Sequence, residues 1–391
     1  MRRARIAVLP AVVTAALAAA GAATVSRAEE PRPRARDLGI APGVFAPGAL
    51  DAITDVAGVK VGHVTLVEGD SVRTGVTAVL PHGGNLFQEK VAGAVYVGNA
   101  FGKLAGSTQV EELGTIETPI VLTNTLAVGT AVEAVVAHTL AQPGNEAVRS
   151  VNALVGETND GGLNDIRSLP VTRAHVRAAL AAAAEGPVAE GAVGAGAGTV
   201  CFGWKGGIGT SSRVLPARFG GHRLGVLVQT NFDGVLAVDG VPVGRELGQH
   251  AFAEPRVADR PTAEPREAGG SCMIVVATDA PLLARDLKRL AARALFGLAR
   301  TGAAYTNGSG DYAVSFSTAL RFRHGAPTTP AAASVTGDAL SPLFEAALEA
   351  TEEAVLNALF RAVTVTGSGR TVDAIPIDRV RELLRRQGRA R

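Results

Sequence analysis

The chain has little of what most enzyme chemistries need. Two cysteines occur in 391 residues, Cys201 and Cys272, each inside an apolar, strand-like run. Two thiols cannot build a disulfide framework or a thiolate metal centre. A pair of buried, inert thiols is the simpler reading, with one disulfide as the alternative in an oxidising compartment. Seven histidines are scattered, without His-Glu-x-x-His or any pair at ligand spacing. No metal site is expected, and His63 and His138 read as surface or satisfied core residues. No Gly-x-Ser-x-Gly is present, so a nucleophile-elbow triad has no anchor. Aromatics are 4% of the chain and no basic stripe is interleaved with them, which excludes an electrostatic nucleic-acid binder. Glycine is abundant, at 47 residues. Yet neither Gly191–Gly198 nor Gly206–Gly209 spells a dinucleotide fingerprint, and Lys205 precedes its glycines where a phosphate-loop lysine would follow them. No nucleotide or other cofactor is expected.

The remaining composition is globular, 47% hydrophobic and 19% charged, with a formal net charge of +2. All four basic residues before Glu29 are arginines, at positions 2, 3, 5 and 27, and no acid accompanies them. Arg2-Arg3-Ala-Arg5, the alanine-rich run from Ile6 to Ala23 and the small residues around Ser26-Arg27-Ala28 read as a signal peptide over 1–28. A membrane anchor is the alternative, disfavoured by weak hydrophobicity. Removing 1–28 would leave a soluble chain with no stable membrane insertion, periplasmic or secreted. Residues 29–52 read as a charged tether and entry segment, and 53–391 as one α/β domain.

Within that domain, Val59–Leu66, Ala92–Val97, Pro119–Leu122, Thr199–Trp204, Leu224–Gln229, Cys272–Ala277 and Asp311–Ser317 have strand character. Helical spacing marks Leu126–Leu140, Val171–Ala184, a helix beginning at Pro281, Ala339–Phe360 and Ile377–Arg386. The arginine run of the last helix reads as a solvated face.

One junction stands out. A Pro- and charge-rich stretch over 253–268 reads as an exposed loop, and it runs through Gly269-Gly270-Ser271 directly into the apolar run at Cys272. Gly-Ser also precedes Ser107, Ser309 and Ser368, so the dipeptide alone is an ordinary turn signal. Only Ser271 sits where a loop meets a core strand. Scission after Gly270 would give a serine carrying both a hydroxyl and a free α-amine, nucleophile and base in one residue.

Several motifs occur in order along the chain. They are Thr123-Asn-Thr125, Val155-Gly-Glu-Thr-Asn-Asp-Gly-Gly-Leu-Asn-Asp165, Cys201-Phe-Gly-Trp-Lys-Gly-Gly-Ile-Gly-Thr-Ser-Ser-Arg213 and Val226-Leu-Val-Gln-Thr-Asn231. Gly270-Ser271, Val275–Leu282, Gly297–Gly302 and Asn307-Gly-Ser-Gly-Asp311 follow. From about Ile53 to the last long helix the series resembles the L-aminopeptidase/D-esterase and β-peptidyl aminopeptidase family of self-processing serine hydrolases. The resemblance implies a four-layer αββα sandwich of N-terminal-nucleophile type, cleaved into 29–270 and 271–391. It also implies that the two chains stay associated, in a homo-oligomer that is commonly a tetramer of such heterodimers.

By the same resemblance Ser271 is the nucleophile, Asn231 the oxyanion-stabilising amide, and Ser309 with Asp311 the pair that holds the new amine. Glu157 receives the substrate's amino group. Asn159 stands in the substrate pocket where the best-known members carry a tyrosine, so a phenolic hydroxyl and an aromatic wall are missing. The expected substrates are short peptides, amino-acid amides or esters. Two other readings stay open: an amidase or acyltransferase of related architecture, and an unprocessed envelope protein that kept the fold without the chemistry.

Overall fold

The computed structural model describes Met1 and residues 32–253, 270–326 and 334–389. The expected signal peptide and most of the loop before Gly270 lie outside the described residues. Two sheets form the middle of the domain. One has the order β1-β2-β6-β7-β4, from β1 (Lys60–Glu68), β2 (Val72–Leu80), β4 (Leu104–Ala105), β6 (Ile120–Asn124) and β7 (Leu154–Thr158). The other has the order β10-β11-β12-β13-β3-β5. Its strands are β3 (Glu89–Ala100), β5 (Thr115–Ile116), β10 (Gly207–Val214), β11 (Arg223–Asn231), β12 (Ser271–Thr278) and β13 (Gly310–Arg323).

Helices α2 (Val128–Leu140) and α3 (Arg173–Ala181) cover the first sheet, and α5 (Ala284–Arg300) and α6 (Ser341–Arg361) cover the second. Short α1 (Ser107–Leu113), α4 (Val243–Glu246) and α7 (Ile377–Arg386) sit at the periphery. The result is the αββα sandwich.

The central strands are apolar on both faces because both faces are covered. In β12, Cys272, Ile274 and Val276 join the core under α5 and α6, while Met273, Val275 and Ala277 fill the space between the sheets. The period of two therefore assigns Ser271 to the inter-sheet face, at the strand's first position. Gly209 of β10 has no room for a side chain, since a Cβ there would lie 1.9 Å from the Ala354 carbonyl oxygen of α6. That close approach lets α6 lie flat on the sheet.

Several elements differ from expectation. Thr199–Trp204 is not one strand but a hairpin, β8 (Val200–Cys201) and β9 (Trp204–Lys205). Phe202 and Gly203, at φ 52° and 81°, form the two-residue turn that this twist favours. The helix expected from Pro281 begins at Ala284, because the Pro281 carbonyl is taken by the Val335 amide and the Ser334 hydroxyl. β13 runs to Arg323, past the expected end at Ser317, across a bulge. β2 and β10 carry too many polar residues for their alternation to be read from sequence. A final hairpin, β14 (Val365–Gly367) and β15 (Arg370–Val372), precedes α7.

The polar residues of β10 are explained by a buried charge cluster. Arg213 is fully buried, 3.0 Å from Glu349 and 2.8 Å from Glu353, two acids one turn apart on α6. Arg36 pairs with Glu353 at 2.7 Å, and Arg34 with Glu190 at 2.8 Å and Asp51 at 3.3 Å. Arg32 donates to the Phe360 and Ile375 carbonyls. The described part of the segment read as a tether is thus bound along the domain by its arginines.

Arg213→Met should leave Glu349 and Glu353 buried without their shared cation. Urea unfolding followed by circular dichroism should show a loss of about 3–5 kcal/mol, most of it recovered when both acids are also made apolar.

Candidate active site

Three neighbouring strands end at one place. Asn231, the last residue of β11, lies directly opposite Ser271 in the antiparallel pair, and Ser271 lies beside Gly310 in the parallel pair with β13. All three positions therefore meet at one end of the inter-sheet space, where Ser271 and Asn231 are each 6% exposed. The Gly310 amide points at the Gly270–Ser271 junction, 3.1 Å from the Gly270 carbonyl oxygen and 3.3 Å from Ser271 Oγ. Gly270 itself admits no side chain, since a Cβ would meet Phe232 Cα at 2.4 Å and the Asn231 carbonyl oxygen at 2.9 Å.

The Asn231 amide is held at both ends. Its Oδ1 accepts from the Val200 amide at 2.9 Å, and its Nδ2 donates to the Asn159 carbonyl at 2.9 Å. An amide carries two N–H groups, so the second remains to act as a donor beside Ser271. Two residues back on the same face, Gln229 sits in register with Met273 and bolts the sheets together, donating to the Thr123 and Ala195 carbonyls and to Thr158 Oγ1.

Ser309 and Asp311 flank Gly310 and are each 1% exposed. Burial pushes the Asp311 carboxyl up to about 6, and the nearby Ser309 hydroxyl and Cys272 amide offset part of that rise. Neither Ser309 Oγ nor Asp311 Oδ2 completes a hydrogen bond among the described residues. Unpartnered buried polar atoms are costly; the Ser309 hydroxyl lies near enough to hold the Asp311 carboxyl down without a hydrogen bond of full geometry, which leaves Oδ2 able to accept from a further donor.

Glu157, in β7 of the facing sheet, is 3% exposed. Its carboxylate accepts from the Lys103 amide at 2.9 Å and from the Thr125 hydroxyl, and the Lys103 ammonium is 3.9 Å away. Gly102 joins this carboxylate to the serine. A Cβ there would lie 3.1 Å from Glu157 Oε1 and 3.4 Å from Gly310 Cα. The strand end is fixed by the Phe101 amide on the Ser309 carbonyl and by the Tyr312 hydroxyl on the Ala100 carbonyl.

Asn159 occupies a different situation from the other candidates. Its side chain is exposed and accepts from the Gly161 amide, closing its own turn. Its link to the site is its backbone carbonyl, which orients Asn231. Sequence reasoning singled out Ser271, Asn231, Ser309, Asp311 and Glu157, and the fold brings these five together around one strand end. It missed the Gly310 amide, Thr125, Lys103 and Gln229. Of these Thr125 and Gln229 had a signal, as members of the motifs Thr123–Thr125 and Val226–Asn231; a backbone amide leaves none.

Other candidates lie elsewhere in the chemistry. Cys201 and Cys272 are free and fully buried, and burial raises both thiols well above their ordinary range, so neither is a nucleophile. Burial lowers His63 to about 4 beside Thr77, and lowers His138 as well. The glycine-rich stretches serve close packing: Gly196, Gly206 and Gly207 would each place a Cβ within 2.6 Å of backbone. Lys205 donates to the Gly196 and Gly206 carbonyls at 2.8 Å, and burial lowers it to about 7.

Residues 51–372 match the model of peptidase family S58. The β-peptidyl aminopeptidase BapA of Sphingosinicella microcystinivorans is 42% identical over 97% of both chains. Among solved structures, the β-aminopeptidase of a Burkholderia species superposes with a TM-score of 0.82 at 41% identity, covering 91% of this chain and 99% of its own. The L-aminopeptidase D-Ala-esterase/amidase of Ochrobactrum anthropi, described as a variant of the N-terminal-nucleophile hydrolase fold, does so at 0.82 and 37% identity. It covers 93% of this chain and 100% of its own. The sandwich, its strand order and the matches over nearly the whole length lead to one assignment: the chain belongs to peptidase family S58.

Proposed function

We propose that the protein is a self-processing serine aminopeptidase that removes N-terminal residues from short peptides, amides or esters. The observation that carries this reading is the pair of unpartnered buried atoms, Ser309 Oγ and Asp311 Oδ2, beside the Gly270–Ser271 peptide. An ammonium formed at Ser271 would supply the missing donors.

Maturation begins with attack of Ser271 Oγ on the Gly270 carbonyl carbon. The developing oxyanion falls on the oxygen already 3.1 Å from the Gly310 amide, a preorganised donor of the kind that lowers such barriers. The C–N bond breaks as the Oγ proton passes to the leaving nitrogen, leaving Gly270 as an ester on Ser271 Oγ and freeing the α-amine. Water then hydrolyses the ester to a Gly270 carboxylate and a free hydroxyl.

In turnover the α-amine takes the Oγ proton as Oγ adds to the substrate carbonyl, and the resulting ammonium gives that proton to the leaving group. Water, deprotonated by the same amine, then hydrolyses the acyl ester and restores the Ser271 hydroxyl. Asp311 and Ser309 hold the ammonium between steps. The free N–H of Asn231 stabilises the oxyanion. Glu157 receives the substrate's own ammonium, which orients the first residue's carbonyl toward Ser271.

The two chains of a cleaved molecule would stay together. Strands β12 and β13 lie between β11 and β3, and α6 is bound to Arg36 and Arg213. We further propose export by the 1–28 segment to the periplasm or medium, and assembly of the cleaved pairs into a homo-oligomer.

Intact-mass measurement of the purified protein should show a fragment running from Ser271 to Arg391, and Ser271→Ala should remain one chain. An active preparation that is wholly uncut would reject the mechanism.

Acetylating the substrate amine should lower kcat/KM at least about tenfold, since a charge-assisted hydrogen bond is worth roughly 1.5–3 kcal/mol. Glu157→Gln should weaken free-amine substrates while leaving self-cleavage largely intact. Equal rates on free and acetylated substrates would leave only a general amidase or esterase.

Protonation of Asp311 removes its hold on the ammonium, so kcat/KM should fall as pH drops. The carboxyl sits at about 6 in the uncut chain, and a new α-ammonium beside it favours the charged form. The neutral α-amine is the base and the Asp311 carboxylate favours its charged form, so the acid limb should report the amine as well as Asp311. Asp311→Asn should move that limb to lower pH and lower the overall rate at least about tenfold.

A further inference from the structure

Beside Glu157 stands a lysine that neither self-cleavage nor hydrolysis requires. The backbone of Lys103 is fixed by its amide bond to Glu157 Oε1 at 2.9 Å, while its ammonium stands off at 3.9 Å from the same oxygen. The Lys103 side chain is 55% exposed and that of Glu157 is 3% exposed. The carboxylate is thus the inner group and the ammonium the outer one. A lysine bound chiefly to neutralise Glu157 would close to hydrogen-bonding distance; this one keeps most of its water and is held loosely. Gly102, the preceding residue, packs between Glu157 Oε1, the Tyr312 ring and Gly310 Cα. Gly310 in turn contacts Ser271 Oγ. Nucleophile, buried carboxylate and exposed ammonium therefore follow one another over a short path from the strand end to the solvent.

An α-amino group bound at Glu157 would place the side chain of the substrate's first residue close to Lys103. We propose that Lys103 is a specificity-determining residue of this subsite, favouring N-terminal residues that carry a side-chain carboxylate and disfavouring those that carry a second cation. The inference rests on Glu157 being the amine receptor. It extends that assignment from the backbone of the substrate to its side chain. A first residue of aspartyl or glutamyl type would bridge the two groups, its ammonium on Glu157 and its carboxylate on Lys103. A lysyl or arginyl residue would bring a third cation to a site that already holds two.

The experiment compares kcat/KM for glutamyl, glutaminyl and lysyl p-nitroanilides in the cleaved enzyme at low salt. The uncharged glutaminyl compound controls for size. Charges about 4 Å apart in a wet site interact by about 1 kcal/mol or more, so glutamyl should exceed glutaminyl, and glutaminyl exceed lysyl, by roughly five- to tenfold each. In Lys103→Met both ratios should collapse to within about twofold, in Lys103→Glu they should invert, and in Lys103→Arg they should persist. Raising the salt should shrink the wild-type ratios.

Where turnover of one compound is too slow to measure, the corresponding amino-acid amides used as competitive inhibitors of leucyl turnover give the same ratios. A wild-type ratio near one, or a ratio that survives in Lys103→Met, overturns the proposal. Glu157→Gln separates this failure from failure of the amine-receptor reading. If free-amine turnover is untouched in Glu157→Gln, the receptor itself is wrong. If it falls while the Lys103 ratios stay flat, only the side-chain inference is lost.

Discussion

The structure depends on the register in which three strands end. β11, β12 and β13 are central and covered on both faces, so none can slip by one residue without turning its apolar set the wrong way. That constraint sets Asn231 opposite Ser271 and Gly310 beside it. Ser271, the proposed nucleophile, is the first residue of a buried strand, its carbonyl neighbour Gly270 has no room for a side chain, and the Gly310 amide faces both. Geometry of this kind is preorganised by the sheet and needs no flexible loop to assemble it.

Burial then sorts the ionisable groups by role. The two thiols are silenced, His63 is lowered to about 4, and Lys205 is brought to about 7 while bonded to two carbonyls. Asp311 is raised to about 6, beside the one peptide whose hydrolysis would create a partner for it. A carboxyl with an unpartnered oxygen is a cost in the intact chain. In the proposed mechanism an ammonium formed at Ser271 would offset that cost.

The same economy appears in how the two prospective chains are joined. Arg36 and Arg213 come from before the Gly270–Ser271 junction, while Glu349 and Glu353 come from after it, and they meet in the core between β10 and α6. Buried ion pairs of this kind add little stability over an apolar core, but they penalise separation and misregister heavily. Together with the insertion of β12 and β13 between β11 and β3, they tie the segments on either side of the Gly270–Ser271 junction into one core.

Much was legible in the sequence. Long helices with plain periodicity were read nearly to the residue, as at Ile377–Arg386, because burial of one face leaves a direct trace. The uniform apolar runs of β11 and β12 were equally plain, and the loop-to-strand seam singled out Ser271. Short-range motifs identified five residues that the fold gathers. Other features were decided only by tertiary structure. β10 is polar by composition yet wholly interior, because Arg213 and its neighbours are satisfied by α6 and the N-terminal segment, more than a hundred residues away. The hairpin at Phe202–Gly203 and the delayed start of α5 follow from turn geometry and from a carbonyl claimed by a distant strap. The Gly310 amide and the standing of Lys103 over Glu157 could not be read at all. A backbone donor has no sequence signature, and the meeting of Glu157 on β7 with Lys103 in the turn before β4 is set by the pairing of β4 with β7. Local pattern determines what each segment can become, and long-range pairing determines which of its atoms face the chemistry.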